Sequence, residues 1–112
     1  MIEGLKDWNK IVTVEHLIPI FSTLQNKARN TIICPRRQLI FRAFEVCPYD
    51  NLKVVMLGQD PYPQKDISTG IAFGNKDNTP DDKLSPSLQV LKEACINYEI
   101  HHNPYVFDNT LE

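Results

Sequence analysis

The sequence predicts an α/β fold in which helices cover a parallel sheet, and it predicts that the sheet is incomplete. Two observations carry this. Leu52-Lys53-Val54-Val55-Met56-Leu57 is a short apolar, β-branched run that stops at Gly58, the pattern of a strand buried on both faces. Stretches with helical spacing lie on either side of it. One such strand does not make a sheet, so partner strands are expected from elsewhere.

In chain order, Leu17, Ile20, Phe21, Leu24 and Ala28 fall at helical spacing and predict an amphipathic helix closing near Asn30. Pro19 fits best in its first turn, where the missing N–H costs little. A second helix is expected to begin at Pro35 and bury Leu39, Ile40, Ala43 and Phe44. The strand follows, and then an irregular stretch from Gln59 to Leu84, rich in Pro, Gly, Asp, Asn and Lys. Loops of this length usually serve a function. Within it, Ile71-Ala72-Phe73 is a brief apolar island. A third helix is expected with Ser85 as its cap, Pro86 at its first position, and Leu88, Leu91 and Cys95 facing inward. Residues 99–112 are polar and predict no element.

Composition bounds the classes. With 112 residues, 42% hydrophobic and 23% charged, the chain reads as one globular unit over residues 1–112 rather than a disordered segment. A core of this size leaves a thin stability margin. No apolar run reaches the ~20 residues of a membrane span, and the start has no basic segment followed by an apolar one. A cytoplasmic location is therefore expected, with no membrane partner. Three cysteines, Cys34, Cys47 and Cys95, form no CxxC pair; free thiols are expected and no metal site is indicated. A net charge of −2 argues against strong non-specific nucleic-acid binding. Arg36, Arg37 and Arg42 are the compact basic group, read as a solvated helix face.

The chemistry concentrates at Gly58-Gln59-Asp60-Pro61-Tyr62-Pro63, directly at the carboxyl end of the strand, where open α/β sheets bind ligands. Gly58 is expected to allow a sharp turn, and Pro61 fixes the backbone after Asp60. An aspartate held there beside an aromatic ring can position a water molecule or stabilise a cation. It can equally cap backbone amides in a turn. Tyr62 and Phe73 read as site aromatics or as core rings, and Ser87 as a ligand contact or a helix-start residue.

Lys53 to Tyr62, KVVMLGQDPY, resembles the water-activating motif of uracil-DNA glycosylases, a hydrophobic strand running into Gly-Gln-Asp-Pro-Tyr-His. The likeness continues through Gly70-Ile71-Ala72-Phe73, where that family carries its uracil-stacking phenylalanine. It continues again through Pro86-Ser87-Leu88, similar to the proline-rich loop whose serine contacts a DNA phosphate. Trp8 and the Ile33-Cys34-Pro35 to Phe44 stretch resemble the family's N-terminal helices. The resemblance covers most of the chain but about the first half of a family catalytic domain.

It implies the N-terminal portion of a three-layer α/β/α fold with a central parallel sheet. It also implies a DNA-repair hydrolase that excises uracil from DNA by N-glycosidic hydrolysis, the first step of base excision repair, acting on a base flipped from the stack. Asp60 would be catalytic, orienting water and stabilising oxocarbenium-like charge. Gln59, Tyr62 and Phe73 would bind uracil: amides at Gln59 and Asp60 meet its O2 edge, Tyr62 excludes thymine at C5, and Phe73 stacks. Pro86 and Ser87 would bind DNA phosphate. No cofactor is implied; the partners are uracil-containing DNA and another chain completing the sheet.

The sequence departs from the family pattern at Pro63, where the motif has a histidine that helps hold the catalytic water, and at Gly74-Asn75, where a serine usually follows the phenylalanine. Asn75 does not inherit the role of the family's uracil-reading asparagine, which ends a later strand. The Tyr105 to Glu112 stretch resembles the lead-in to that strand, and no His-Pro-Ser-Pro-Leu-Ser-like loop follows. His101 and His102 do not match that loop and read as exposed loop histidines. These departures predict weak activity and marginal folding for the 112 residues alone. The alternative is a non-catalytic remnant acting as a DNA-binding or interaction module. A thymine-directed relative is disfavoured by Tyr62, and a cluster-bearing one by the cysteine spacing.

Overall fold

The computed structural model describes residues 3–99 and 107–112. Its elements are a kinked 3₁₀ helix over Glu3–Lys10, then α1 (Val14–Ala28), α2 (Arg42–Val46) and α3 (Pro86–Glu99), with short 3₁₀ turns between them. His101, His102 and Tyr105 lie outside the described residues.

Helix α1 starts earlier than the apolar spacing suggests, because Thr13 takes an extended conformation ahead of it. The Thr13 N–H donates to His16 Nδ1 at 3.3 Å, an interaction that satisfies one orphan donor of the first turn. Pro19 therefore lies inside the helix rather than in its first turn. The helix ends close to the expected place, with the Asn30 N–H bonded to Lys27 O at 3.1 Å. Its apolar stripe is half-buried at Leu17, Phe21 and Leu24. Phe21 meets Phe41 edge-on at 5.9 Å between ring centroids. An open apolar groove of about 540 Å³ remains between α1 and residues 33–41.

The expected second helix is divided: a 3₁₀ turn at Arg37–Leu39 precedes α2, and Ile40 and Phe41 form the corner. Leu39, Ile40 and Phe44 are half-buried, whereas Ala43 is exposed. The N-terminal segment docks on α2. The Trp8 ring packs edge-on against Phe44 and Tyr49, each at 5.1 Å, and its indole N–H donates to Cys47 O at 2.7 Å. Asp7 Oδ2 accepts the Tyr49 N–H at 2.9 Å. Leu5, in the same N-terminal segment, is fully buried.

Helix α3 starts and packs where the sequence predicts, but the expected side-chain cap is not made: the Ser85 hydroxyl accepts Asn75 Nδ2 at 2.8 Å, and the Leu88 and Gln89 N–H groups go to the Ser85 carbonyl instead. Pro86 is its first residue, Leu88 is fully buried, and Leu91 and Cys95 are half-buried.

The run Leu52–Leu57 departs from its expectation. It carries no regular secondary structure, and Val54, Val55, Met56 and Leu57 are 79%, 66%, 58% and 90% exposed. No strand is assigned among the described residues. The physical reason is that a strand is stable only when its N–H and C=O groups find a ladder partner, and none of the described segments supplies one. Packing is correspondingly thin: Leu5, Leu84 and Leu88 are the buried apolar side chains among the described residues. The radius of gyration is 16.0 Å, against roughly 13 Å for a compact domain of this length. No helix among the described residues is long and apolar enough to cross a membrane.

Candidate active site

The segments after Leu57 enclose a cavity of about 650 Å³ whose wall includes Gln59, Asp60, Tyr62, Phe73 and Ser87. Five of the six residues singled out in the sequence thus share one concavity, although they come from three separate segments. Pro86 does not line it and instead begins α3.

Asp60 is exposed to this cavity. No described residue donates a hydrogen bond to its carboxylate. Among the described residues, the turn-cap role that local sequence left open is therefore not realised, which leaves the carboxylate oxygens as acceptors without a described donor. Gly58 adopts no left-handed conformation, and a Cβ there would meet nothing within 4 Å. The sharp turn expected of it is not needed at this position.

Tyr62 and Phe73 form the aromatic wall. The Tyr62 hydroxyl donates to Phe73 O at 2.9 Å, and both side chains are half-buried rather than core. Phe73 has φ of 64°, an uncommon conformation for a bulky residue and one that recurs at functional sites. Gly70 sets the approach of this loop. Its φ is +89°, and an added Cβ would lie 2.0 Å from the Leu39 carbonyl oxygen and 2.8 Å from the Arg42 Cβ. Only glycine fits there.

Ser87 lies in the first turn of α3, and it is exposed. A helix N-terminus carries unsatisfied N–H groups that favour an anion. Ser85 keeps its carbonyl for the helix, accepting the N–H groups of Leu88 at 2.9 Å and Gln89 at 3.0 Å. Its hydroxyl accepts a bond from Asn75 Nδ2 at 2.8 Å. Sequence reasoning set Asn75 aside as a uracil reader and assigned it no other part; its buried position has no local sequence signal.

The basic group is largely neutralised. Arg36 Nε pairs with Asp66 at 2.6 Å, and Arg42 pairs with Glu112 at 2.6 Å. Each guanidinium is raised above its usual range, chiefly by the hydrogen bond to its carboxylate. The first pair ties the loop that bears the cavity to Arg36 and the second ties the C-terminal segment to Arg42, a role more specific than a solvated helix face. Cys34, Cys47 and Cys95 are free and half-buried; the Cys34 thiol lies 3.7 Å from Pro63 O. No group of three His, Cys, Asp or Glu suited to a metal ion occurs among the described residues.

Comparison with known proteins gives a consistent set of relatives. A uracil-DNA glycosylase of Psychromonas ingrahamii is 33% identical over 103 residues, 87% of this chain and 46% of its own. One of Azobacteroides pseudotrichonymphae is 38% identical over 94 residues, 80% of this chain and 41% of its own. One of Campylobacter jejuni subsp. doylei is 36% identical over 93 residues, 78% of this chain and 39% of its own. The chain therefore spans less than half the length of these curated relatives. No protein-family model matches the chain, and no solved structure does.

Proposed function

Since this chain is related over most of its length to the N-terminal part of uracil-DNA glycosylases, we propose that it carries the water-activating part of a site that hydrolyses the N-glycosidic bond of deoxyuridine in DNA. The observation that carries the reading is the Asp60 carboxylate, which has no hydrogen-bond partner among the described residues and shares one cavity with Tyr62, Phe73 and Ser87.

In this reading a uracil flipped from the strand enters the cavity and stacks on Phe73. Tyr62, oriented by its bond to Phe73 O, stands against C5 and excludes the methyl group of thymine. Main-chain N–H groups at Gln59 and Asp60 meet the O2 edge, where negative charge develops as the base leaves. Asp60 orients the attacking water and offsets the positive charge growing on the sugar. Ser87 holds a phosphate at the start of α3, with Pro86 stiffening the turn. The chemistry needs water and a carboxylate, so no cofactor enters.

The fold we propose is the three-layer α/β/α arrangement with a central parallel sheet. The exposed run Val54–Leu57 then serves as a strand whose ladder another polypeptide segment completes. Three free cysteines support a reducing, cytoplasmic location.

The test is uracil release from a single-stranded deoxyuridine oligonucleotide, with Asp60→Asn as control. Single-stranded substrate removes most of the flipping cost. Release that disappears with Asp60→Asn supports the assignment; release unchanged by that substitution removes Asp60 from the chemistry. A second reading, a non-catalytic DNA-binding or interaction module, is favoured by the exposed apolar run and by Pro63 in place of the motif histidine. Binding to uracil-containing and uracil-free strands with equal affinity, without release, would decide for it.

A further inference from the structure

Asn75 does not line the cavity, yet it joins two segments of the cavity wall and the C-terminal segment. Its side chain is buried at 3% exposure. Nδ2 donates to Ser85 Oγ at 2.8 Å, and Oδ1 accepts the Ser85 N–H at 2.8 Å. This two-point bond closes the irregular 76–84 loop. The Asn75 N–H donates to Asn109 O at 2.9 Å, which adds the C-terminal segment. Two residues before Asn75, Phe73 O accepts the Tyr62 hydroxyl. Just after Ser85, α3 begins with Pro86 and Ser87. A short path of chain and hydrogen bonds therefore runs from Tyr62 through Phe73 and Asn75 to the start of α3.

The chemistry of this arrangement is specific. A buried amide costs free energy unless both its halves are satisfied. Nδ2 also reaches the neighbouring Gly74 O at 3.4 Å, but both long-range bonds of the Asn75 side chain fall on Ser85, so a slip of the loop by one position would break them together. The clasp acts as a register lock rather than as general packing.

We infer that Asn75 is a positioning residue that sets the separation between the aromatic wall at Phe73 and the phosphate-binding start of α3 at Ser87. The inference rests on the base and phosphate roles proposed above. A base and its flanking phosphate are joined by one sugar, so their span is nearly constant. A site that grips both must hold its two grips at that span, and small misplacements cost large factors.

The test uses the whole chain with Asn75→Leu, which removes the amide at similar size, and Asn75→Asp, which keeps an acceptor for the Ser85 N–H. Binding is measured for two probes: free uracil, which needs the base grip alone, and a single-stranded deoxyuridine oligonucleotide, which needs both. The expected result for Asn75→Leu is an oligonucleotide affinity lowered roughly tenfold or more, with free-uracil affinity within about threefold of the parent. Asn75→Asp should recover most of the loss. Equal losses for both probes, or none for either, would overturn the inference, since a general loss of structure weakens both grips alike. If the parent chain binds neither probe, the functional reading fails and amide hydrogen exchange decides the clasp. Faster exchange in Asn75→Leu at both Phe73–Asn75 and Ser85–Leu88 supports the lock; a change confined to Ser85 refutes it.

Discussion

Arg42 and Glu112 stand 70 positions apart in the chain and form a two-point ion pair, Nε to Oε1 at 2.7 Å and Nη2 to Oε2 at 2.6 Å. Arg42 also faces Glu45 at 3.7 Å, and its Cβ lies against Gly70. The Arg42 side chain thus meets α2 and the C-terminal segment through its guanidinium, and the cavity loop at Gly70 through its Cβ.

This pair makes the docking of residues 107–112 dependent on pH. The Glu112 carboxyl is held below its usual range, chiefly by the hydrogen bond from Arg42. A carboxyl lowered in the folded state contributes stability that is fully present above its unfolded value, about 4.3, and is lost as pH falls through the folded one. Amide protection at Thr110 and Leu111 should therefore hold from neutral pH to about pH 5 and decline on further acidification. Glu112→Gln should lower protection at neutral pH and flatten most of that decline. The Asp108 carboxyl, lowered mainly by the Thr110 hydroxyl, should leave a residual acid response. An unchanged profile in Glu112→Gln would show that the pair does not anchor the segment.

Gly70 and Gly58 should respond oppositely to the same substitution. Gly70→Ala places a Cβ 2.0 Å from Leu39 O in a backbone at φ +89°. The left-handed conformation alone costs about 1–2 kcal/mol, and relief of the overlap must move the loop away from α2. Urea unfolding should show a clear loss of stability. Gly58→Ala meets nothing within 4 Å and should be neutral, or stabilising by about 0.4–1 kcal/mol through the unfolded chain. Equal effects at the two positions would contradict this geometry.

The exposed run at Val54–Leu57 should drive self-association. An unpaired apolar segment with a single flanking lysine is a template for edge-to-edge pairing. Leu57 is 90% exposed, so Leu57→Lys removes no internal packing and adds a charge. Sedimentation velocity should show a larger monomer fraction for the variant at equal concentration. The same distribution for both proteins would indicate that this run is not the associating surface.

Pro63 occupies the position where the motif of uracil-DNA glycosylases has histidine, four residues upstream of Ile67. Restoring a ring nitrogen beside Asp60 supplies a second group able to hold the attacking water. Pro63→His should raise uracil release by about tenfold or more over the parent, and Asp60→Asn in the same background should abolish the gain. A gain that survives Asp60→Asn would place the water elsewhere.

Sequence alone determined the parts whose causes are local. Pro86 announces the start of α3, because proline suits the first turn wherever the helix later packs. The order of Asp60, Tyr62, Phe73 and Ser87 also carried the family resemblance, since a motif is read from residue types and their spacing alone. Helix α1 was placed by its period, but its start was missed because Thr13 reads as a cap only once its backbone is seen. Tertiary structure decided what depends on distant partners. Leu52–Leu57 has the composition of a buried strand, yet Val54–Leu57 stand exposed, because burial requires neighbours that no local pattern contains. Gly70 owes its necessity to Leu39 and Arg42, and Asn75 owes its role to Ser85 and Asn109. Those pairings bring together residues from ten to about thirty-five positions apart in the chain, and such contacts are chosen by chain folding and the satisfaction of buried polar groups rather than by any periodicity along the sequence.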